Sequence, residues 1–297
     1  ISMGKTRSKR RKPNNKTMKK VICSPSSKNK DFTCYSDESL VKMKALWNAR
    51  HPDARIEATS DRAIWGALRN GMKDVCASEK CWLRQKFIAN KLTAELTSYT
   101  FAPDHPDSWN RNPREWLTSV DIEHVMRQYE KKYKHFEFLG PSPIDFDKHL
   151  LYNECVWEEL CKFDVRKQLR RGKTKIGIVF NVDPHYKDGS HWISMFIDLQ
   201  KKYIFFFDST GDPIPSEIEN LMERIVSQAA AIGIKLKEFI NDKEHQREDT
   251  ECGIYSLYLI IELLEGRRTP HYFLTHRIPD AEMEKLRKIY FNTPGED

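Results

Sequence analysis

Residues Gln246–Tyr255, QREDTECGIY, lead a polar loop directly into an apolar run, Ile254–Leu264 (IYSLYLIIELL). A helix apolar on nearly every side belongs in a core and not on a surface. The stretch therefore predicts a buried helix that opens at Cys252 and stops at Gly266, a residue suited to end a helix. A cysteine in the first turn has backbone N–H groups and the positive end of the helix dipole beside it. Such a setting favours the nucleophilic thiolate. Upstream, His191 follows a Gly-Ser turn and starts the strand-like HWISMFIDL, and Asp208 closes the next strand-like run, YIFFFD. In chain order His191, Asp208, Gln246 and Cys252 supply a base, an acid to orient it, an amide donor and a nucleophile.

The flanking segments read as follows. KIGIVFNVD (175–183) alternates Ile176, Ile178, Phe180 and Val182 against Gly177, Val179 and Asn181, a strand pattern. Ser216 and Glu219 have capping-box spacing ahead of a helix with Ile218, Leu221, Met222, Ile225 and Ala229 on one face, and Gly233 follows as its stop. IKLKEFI (234–240) is a further strand, and 280–291 an amphipathic helix on Met283, Leu286 and Tyr290. Strands in succession followed by packed helices indicate an α+β fold. Nearer the start, the Pro-rich FAPDHPDSWNRNP (101–113) reads as a boundary, with Thr118 and Asp121 spaced to cap the next helix. Before it, Leu40, Met43, Leu46 and Trp47 form one helical stripe, Ile64, Leu68 and Met72 another after Ser60, and Trp82, Leu83 and Phe87 suggest a third. The aromatics on these stripes read as core. The expected organisation is a basic tail over 1–30, a small helical domain over 31–104 and a catalytic domain over 105–297.

The HW at 191–192, the DS at 208–209 and Gln246 six residues before Cys252-Gly253 resemble the cysteine peptidases that include the adenoviral endoprotease and the SUMO-specific, ubiquitin-like-protein proteases. The GSHW and TECGIYSL segments are most similar to the processing proteases of large DNA viruses. The resemblance covers roughly 105–297. It implies a papain-like, adenain-like core with a central mixed sheet flanked by helices. It also implies an endopeptidase using Cys252, His191 and Asp208, with Gln246 and the Cys252 backbone N–H receiving the oxyanion. Trp192 resembles the tryptophan that narrows the family's cleft, which implies cleavage after small residues at Gly-Gly-type sites. Trp116-Leu117 resembles the family's Trp-Leu motif at the substrate groove. The family continues with Asn-Asp where this chain has Thr118-Ser119, so core packing competes as a reading of Trp116.

The resemblance implies maturation of viral structural polyproteins, in the virion or in the host cytoplasm or nucleus. The same chemistry fits removal of SUMO or ubiquitin from host proteins. Acetyl transfer by a similar His–acid–Cys order requires an acetyl-CoA site, for which no motif is visible. A structural nucleic-acid-binding protein is the remaining reading, from charge alone. Residues 4–20 hold nine Lys or Arg and no acid, against a chain total of +7, so the other residues sum to −2. A second run, 166–175, adds six positive charges. Lys9, Arg10, Arg11, Lys12, Arg170 and Arg171 are the candidate phosphate contacts, and the viral resemblance adds DNA as an activator. No apolar stretch reaches membrane-spanning length, and the basic start lacks the apolar run of a secretory signal. Seven scattered cysteines read as reduced thiols. Cys76 with Cys81, and Cys155 with Cys161, lack zinc-ribbon spacing, so no metal or other cofactor is expected.

Overall fold

The computed structural model describes residues 18–27, 30–89, 91 and 99–294. It divides into two compact units, one built on Lys30–Thr93 and the other on Ile22–Asn29 with Ala94–Pro294. The Pro-rich break suggested a boundary at 104/105. Backbone pairing explains the difference: Cys23 bridges Phe101, Asp104 bridges Asn292, and the Asn292 amide donates to the Pro103 carbonyl at 2.8 Å. Residues 22–27 and 99–104 thus share ladders with the second unit.

In the first unit, α1 (Asp37–Arg50) starts where the Ser36 side chain accepts from the Ser39 amide, and α2 (Asp61–Met72) follows Ser60. A short α3 spans Glu79–Trp82. The predicted stripes are the core: Leu40, Met43, Ile64, Leu68, Met72 and Trp82 are all buried. Tyr35 stacks on Trp82 at 5.8 Å.

The second unit is a five-stranded mixed sheet in the order β1-β2-β3-β4-β5. The strands are β1 (Phe136–Pro143), β2 (Lys175–Asn181), β3 (Trp192–Asp198), β4 (Tyr203–Phe207) and β5 (Lys237–Ile240). The two outer pairs are parallel and the inner pairs antiparallel. Both faces are covered, so the central strands read as continuous apolar runs. Tyr203, Phe205 and Phe207 face one core with α4 (Ser119–Lys132), α8 (Cys252–Glu265) and α10 (Asp280–Tyr290). Ile204 and Phe206 face the other core, with the short helices α5 (Glu158–Cys161) and α6 (Val165–Arg170) and with α7 (Ser216–Ala230). Among the described helices, α8 is the most enclosed, buried from Cys252 through Leu264. A last short helix, α9 (Pro270–Thr275), sets Phe273 into the first core.

The structure departs from the sequence reading at several points. Strand β1, FEFLGPSP, was not among the strands read from the sequence; at the sheet edge it accommodates proline where no ladder amide is needed. Ser216 is already inside α7, behind Pro215, and its hydroxyl bonds Glu217, so the expected capping box does not form. The box of Thr118 and Asp121 does form. The thiols expected to be reduced include two disulfides, Cys76–Cys81 and Cys155–Cys161, with Cα atoms 5.5 and 6.3 Å apart, inside the range that bridging requires. Redox compartment cannot report such proximity. Among the described residues the free cysteine is Cys252.

Candidate active site

Antiparallel pairing brings the acid to the histidine. Ser194 of β3 pairs with Phe207 of β4, so the residues just before β3 and just after β4 meet at one end of the sheet. There His191 Nε2 donates to Asp208 Oδ1 at 2.8 Å. The same oxygen accepts from the Thr210 amide at 2.9 Å and the Thr210 hydroxyl at 2.7 Å. Three donors on one oxygen hold the carboxylate in place. With Nε2 engaged by Asp208, Nδ1 is the ring nitrogen left to face Cys252. Burial lowers the imidazole's proton affinity, but hydrogen bonds to Asp208 and Cys252 outweigh it, and the pKa is raised to about 10. The ring is therefore poised to carry a proton beside a buried sulfur.

Cys252 is the first residue of α8, and the first intrahelical bond runs from the Tyr255 amide to the Glu251 carbonyl at 2.9 Å. The amides of Cys252, Gly253 and Ile254 thus precede the hydrogen-bonded ladder. No side chain caps this helix. The Glu251 carboxylate is turned instead to Arg287 of α10, whose Nε lies 2.9 and 2.8 Å from its two oxygens. Burial pushes the Glu251 carboxyl up, with Arg287 pulling against it. The same guanidinium donates to the Thr250 carbonyl at 3.1 Å and the Glu115 carbonyl at 2.7 Å, and it lies over the Trp109 ring. Arg287 therefore joins the approach to Cys252 with the segment that leads to Trp116-Leu117. Chain order offered no signal for this clamp, because α10 reads simply as amphipathic.

Gln246 is buried, and Ser209 Oγ donates to its Oε1 at 2.8 Å. Its Nε2 donates to the Glu248 carbonyl. A carboxamide has two N–H groups, so one remains for a further acceptor. Both the His245 and Gln246 amides donate to the Ser209 carbonyl, at 2.9 and 2.8 Å, which seats the loop against the Asp208-Ser209 turn. Asn241 Nδ2 adds a bond to the Asp208 carbonyl at 2.7 Å. His245 is fully buried; burial first, then Lys243 and Arg277, lowers its pKa to about 4. Its Nδ1 faces the Ile278 amide at 3.1 Å, so the neutral ring accepts there. Neither Asn241 nor His245 stood out in the sequence.

Trp192 is half-buried, and its Nε1 donates to the Leu117 carbonyl at 2.9 Å. Leu117 packs so tightly on α8 that a Cβ at Gly253 would come within 2.9 Å of it. Glycine after the cysteine is thus required by packing. Trp116 is 42% exposed, which removes core packing as its explanation.

Lys9, Arg10, Arg11 and Lys12 fall outside the described residues. Arg170 is exposed at the end of α6. Arg171 Nη1 pairs with Glu137 at 2.8 Å, and Lys173 reaches the same carboxylate at 3.3 Å. Folding has therefore supplied an acid that the local sequence lacks.

Comparison with known proteins agrees with this architecture. Residues 173–294 match the Ulp1 protease family, C-terminal catalytic domain. The SUMO-1 cysteine protease of African swine fever virus is 30% identical over 234 residues, covering 73% of this chain and 83% of the relative. A thiol protease of Acanthamoeba polyphaga mimivirus is 26% identical over 296 residues, covering 92% and 94%. The crystal structure of an African swine fever virus protease superposes with a TM-score of 0.63 at 23% identity, covering 95% of this chain and 99% of that one.

Proposed function

The chain belongs to the Ulp1 protease family and is a cysteine protease; on that premise we propose that Cys252 is its nucleophile, His191 its acid–base and Asp208 the residue that orients the imidazole. The observation that carries this reading is the row Asp208–His191–Cys252, with the 2.8 Å bond behind the ring and the sulfur at a helix start. The Cys252 sulfur gives its proton to His191 and attacks the peptide carbonyl carbon. The resulting oxyanion takes hydrogen bonds from the free Gln246 N–H and the Cys252 amide. Collapse expels the amine, which takes the proton from His191. Water then attacks the thioester, again through His191, and releases the acid and the free thiol.

The substrate reading is an endopeptidase acting after small residues, at Gly-Gly-type sites in a viral polyprotein. Support comes from Trp192, half-buried and tied to Leu117, and from the exposed Trp116 beside it. On this reading Trp192, tied to the Leu117 that packs on Gly253, would narrow the cleft against a branched side chain. A second reading, cleavage of ubiquitin-like conjugates, is favoured by the name of the swine fever virus relative, a SUMO-1 cysteine protease. A peptide library separates the two. Efficient cleavage of short Gly-Gly peptides supports polyprotein processing; turnover of folded ubiquitin-like fusions alone supports the second reading. Cleavage after Phe or Leu at a comparable rate rejects the narrow cleft.

For the basic tail the proposal is sequence-independent phosphate binding, with DNA as an activator. Deleting residues 1–20 then flattens the salt dependence of DNA affinity, by about 0.9 in log–log slope for each phosphate no longer neutralised. An unchanged slope removes the tail from DNA binding. Among the described residues no helix is long and apolar enough to cross a membrane.

A further inference from the structure

Between β1 and β2 the chain makes a small exposed hairpin. His149 pairs with Cys155 in an antiparallel bridge, closed by Leu150 N to Glu154 O at 2.7 Å and Val156 N to Lys148 O at 2.9 Å. One turn further on, Cys161 lies in α5, its amide donating to the Trp157 carbonyl at 3.1 Å. The base is anchored by Phe146 and Leu160, both buried in the second core. Three side chains from separate points of the sequence therefore converge on one fixed spot. A nitrogen of His149 and the two sulfurs all lie within 4.8 Å of one another.

We propose that the reduced form of this hairpin is a zinc site, with His149 Nε2, Cys155 Sγ and Cys161 Sγ as ligands and water in the fourth position. Thiolate and imidazole donors select zinc among the common divalent ions. The geometry fits. Zinc–sulfur and zinc–nitrogen bonds of about 2.3 and 2.05 Å at tetrahedral angles place N and S about 3.6 Å apart and two sulfurs about 3.8 Å apart. His149 Nε2 already lies 3.8 Å from Cys155 Sγ. The cysteine Cα atoms, 6.3 Å apart, let the sulfurs separate by side-chain rotation. A disulfide that served as a staple alone would have no use for an imidazole beside its sulfur.

The two states exchange by balanced chemistry. A thiol reductant supplies two electrons and two protons to the Cys155–Cys161 bond, becomes a disulfide itself, and leaves two thiols. Zinc binding then releases those two protons and leaves a neutral centre: one dication, two thiolates and a neutral imidazole. Oxidation by a disulfide of the same class reverses the change and expels the ion. The hairpin thus takes up zinc in a reducing setting and closes on itself in an oxidising one.

The test uses the full chain carrying Cys252→Ala, so that the catalytic thiol cannot bind metal. Protein reduced with a phosphine and freed of reductant is titrated with Co²⁺, whose sulfur-to-cobalt absorption reports thiolate ligation. One equivalent of Co²⁺, displaced by one of Zn²⁺, is expected, with none taken up before reduction. Cys161→Ser should abolish the absorption band, and His149→Ala, on an exposed side chain that leaves folding intact, should weaken affinity at least tenfold. Cys76→Ser should change neither. Absence of the band in reduced protein overturns the site, as does a band that survives Cys161→Ser or an affinity unmoved by His149→Ala. Should Cys161→Ser fail to fold by circular dichroism, the His149→Ala affinity decides the question alone.

Discussion

At the end of the sheet a buried cysteine meets an imidazole whose other nitrogen donates to Asp208 at 2.8 Å, while on the hairpin two cysteines meet His149 in the open. The residue types are the same, and their surroundings separate their chemistry. His191 stands between a fixed carboxylate and one sulfur at a helix start, with amide donors alongside. On the proposed mechanism, that arrangement would stabilise charge as it develops on a substrate. His149 stands beside a pair of sulfurs that can bond each other or share an ion. A Cys–His pair therefore becomes a nucleophile through what lies behind the ring and beside the sulfur.

Substituting the two kinds of cysteine tests that distinction directly. Cys252→Ala should remove turnover by about 10⁴-fold or more, and adding His191→Ala should cost little further, since the two act as a unit. Cys155→Ser should leave kcat/KM within about twofold. Equal losses at both cysteines would erase the contrast.

The Glu251–Arg287 pair sharpens it through stability. Arg287→Ala leaves a buried carboxylate facing no cation, which should cost about 3–5 kcal/mol in denaturant unfolding. Replacing both partners by apolar residues should recover much of the loss. A single mutant as stable as the parent would show that the clamp does not hold the helix start.

Gln246→Ala should lower kcat by about 10²–10³-fold with KM little changed, because its N–H matters once the oxyanion forms. Alkylation of Cys252 by iodoacetamide should continue at a similar rate. A raised KM at constant kcat would make Gln246 a binding residue.

Two histidines give opposite pH signs. His191, raised to about 10, contributes stability that is full below about 6.5 and fades as pH climbs through 10. His245, lowered to about 4, is held neutral, so stability falls as pH drops from about 6.5 toward 4. His245→Asn should flatten the acid limb of a thermal-unfolding series and leave the alkaline limb in place. An unchanged acid limb would assign that loss to other groups.

The proposed row of Asp208, His191 and Cys252 could be named from sequence because its signals are local. Cys252 precedes an apolar run, His191 and Asp208 sit at the ends of two strand patterns, and Gln246 stands six residues before the cysteine. Adjacent antiparallel strands leave few places for those ends to go. Strand β1 was not among the strands read from the sequence; its prolines are accommodated at an edge position.

Local sequence thus carried the identity of the buried helix, the alternation of the central strands and the candidate nucleophile. Those signals depend on side chains a few residues apart, which periodicity records. The partners of long separation came from packing. Arg287 reaches Glu251, Glu137 neutralises Arg171, and Leu117 forbids a side chain at Gly253. Each depends on surfaces that meet only once the sheet and its helices have closed, and no spacing along the chain encodes that distance.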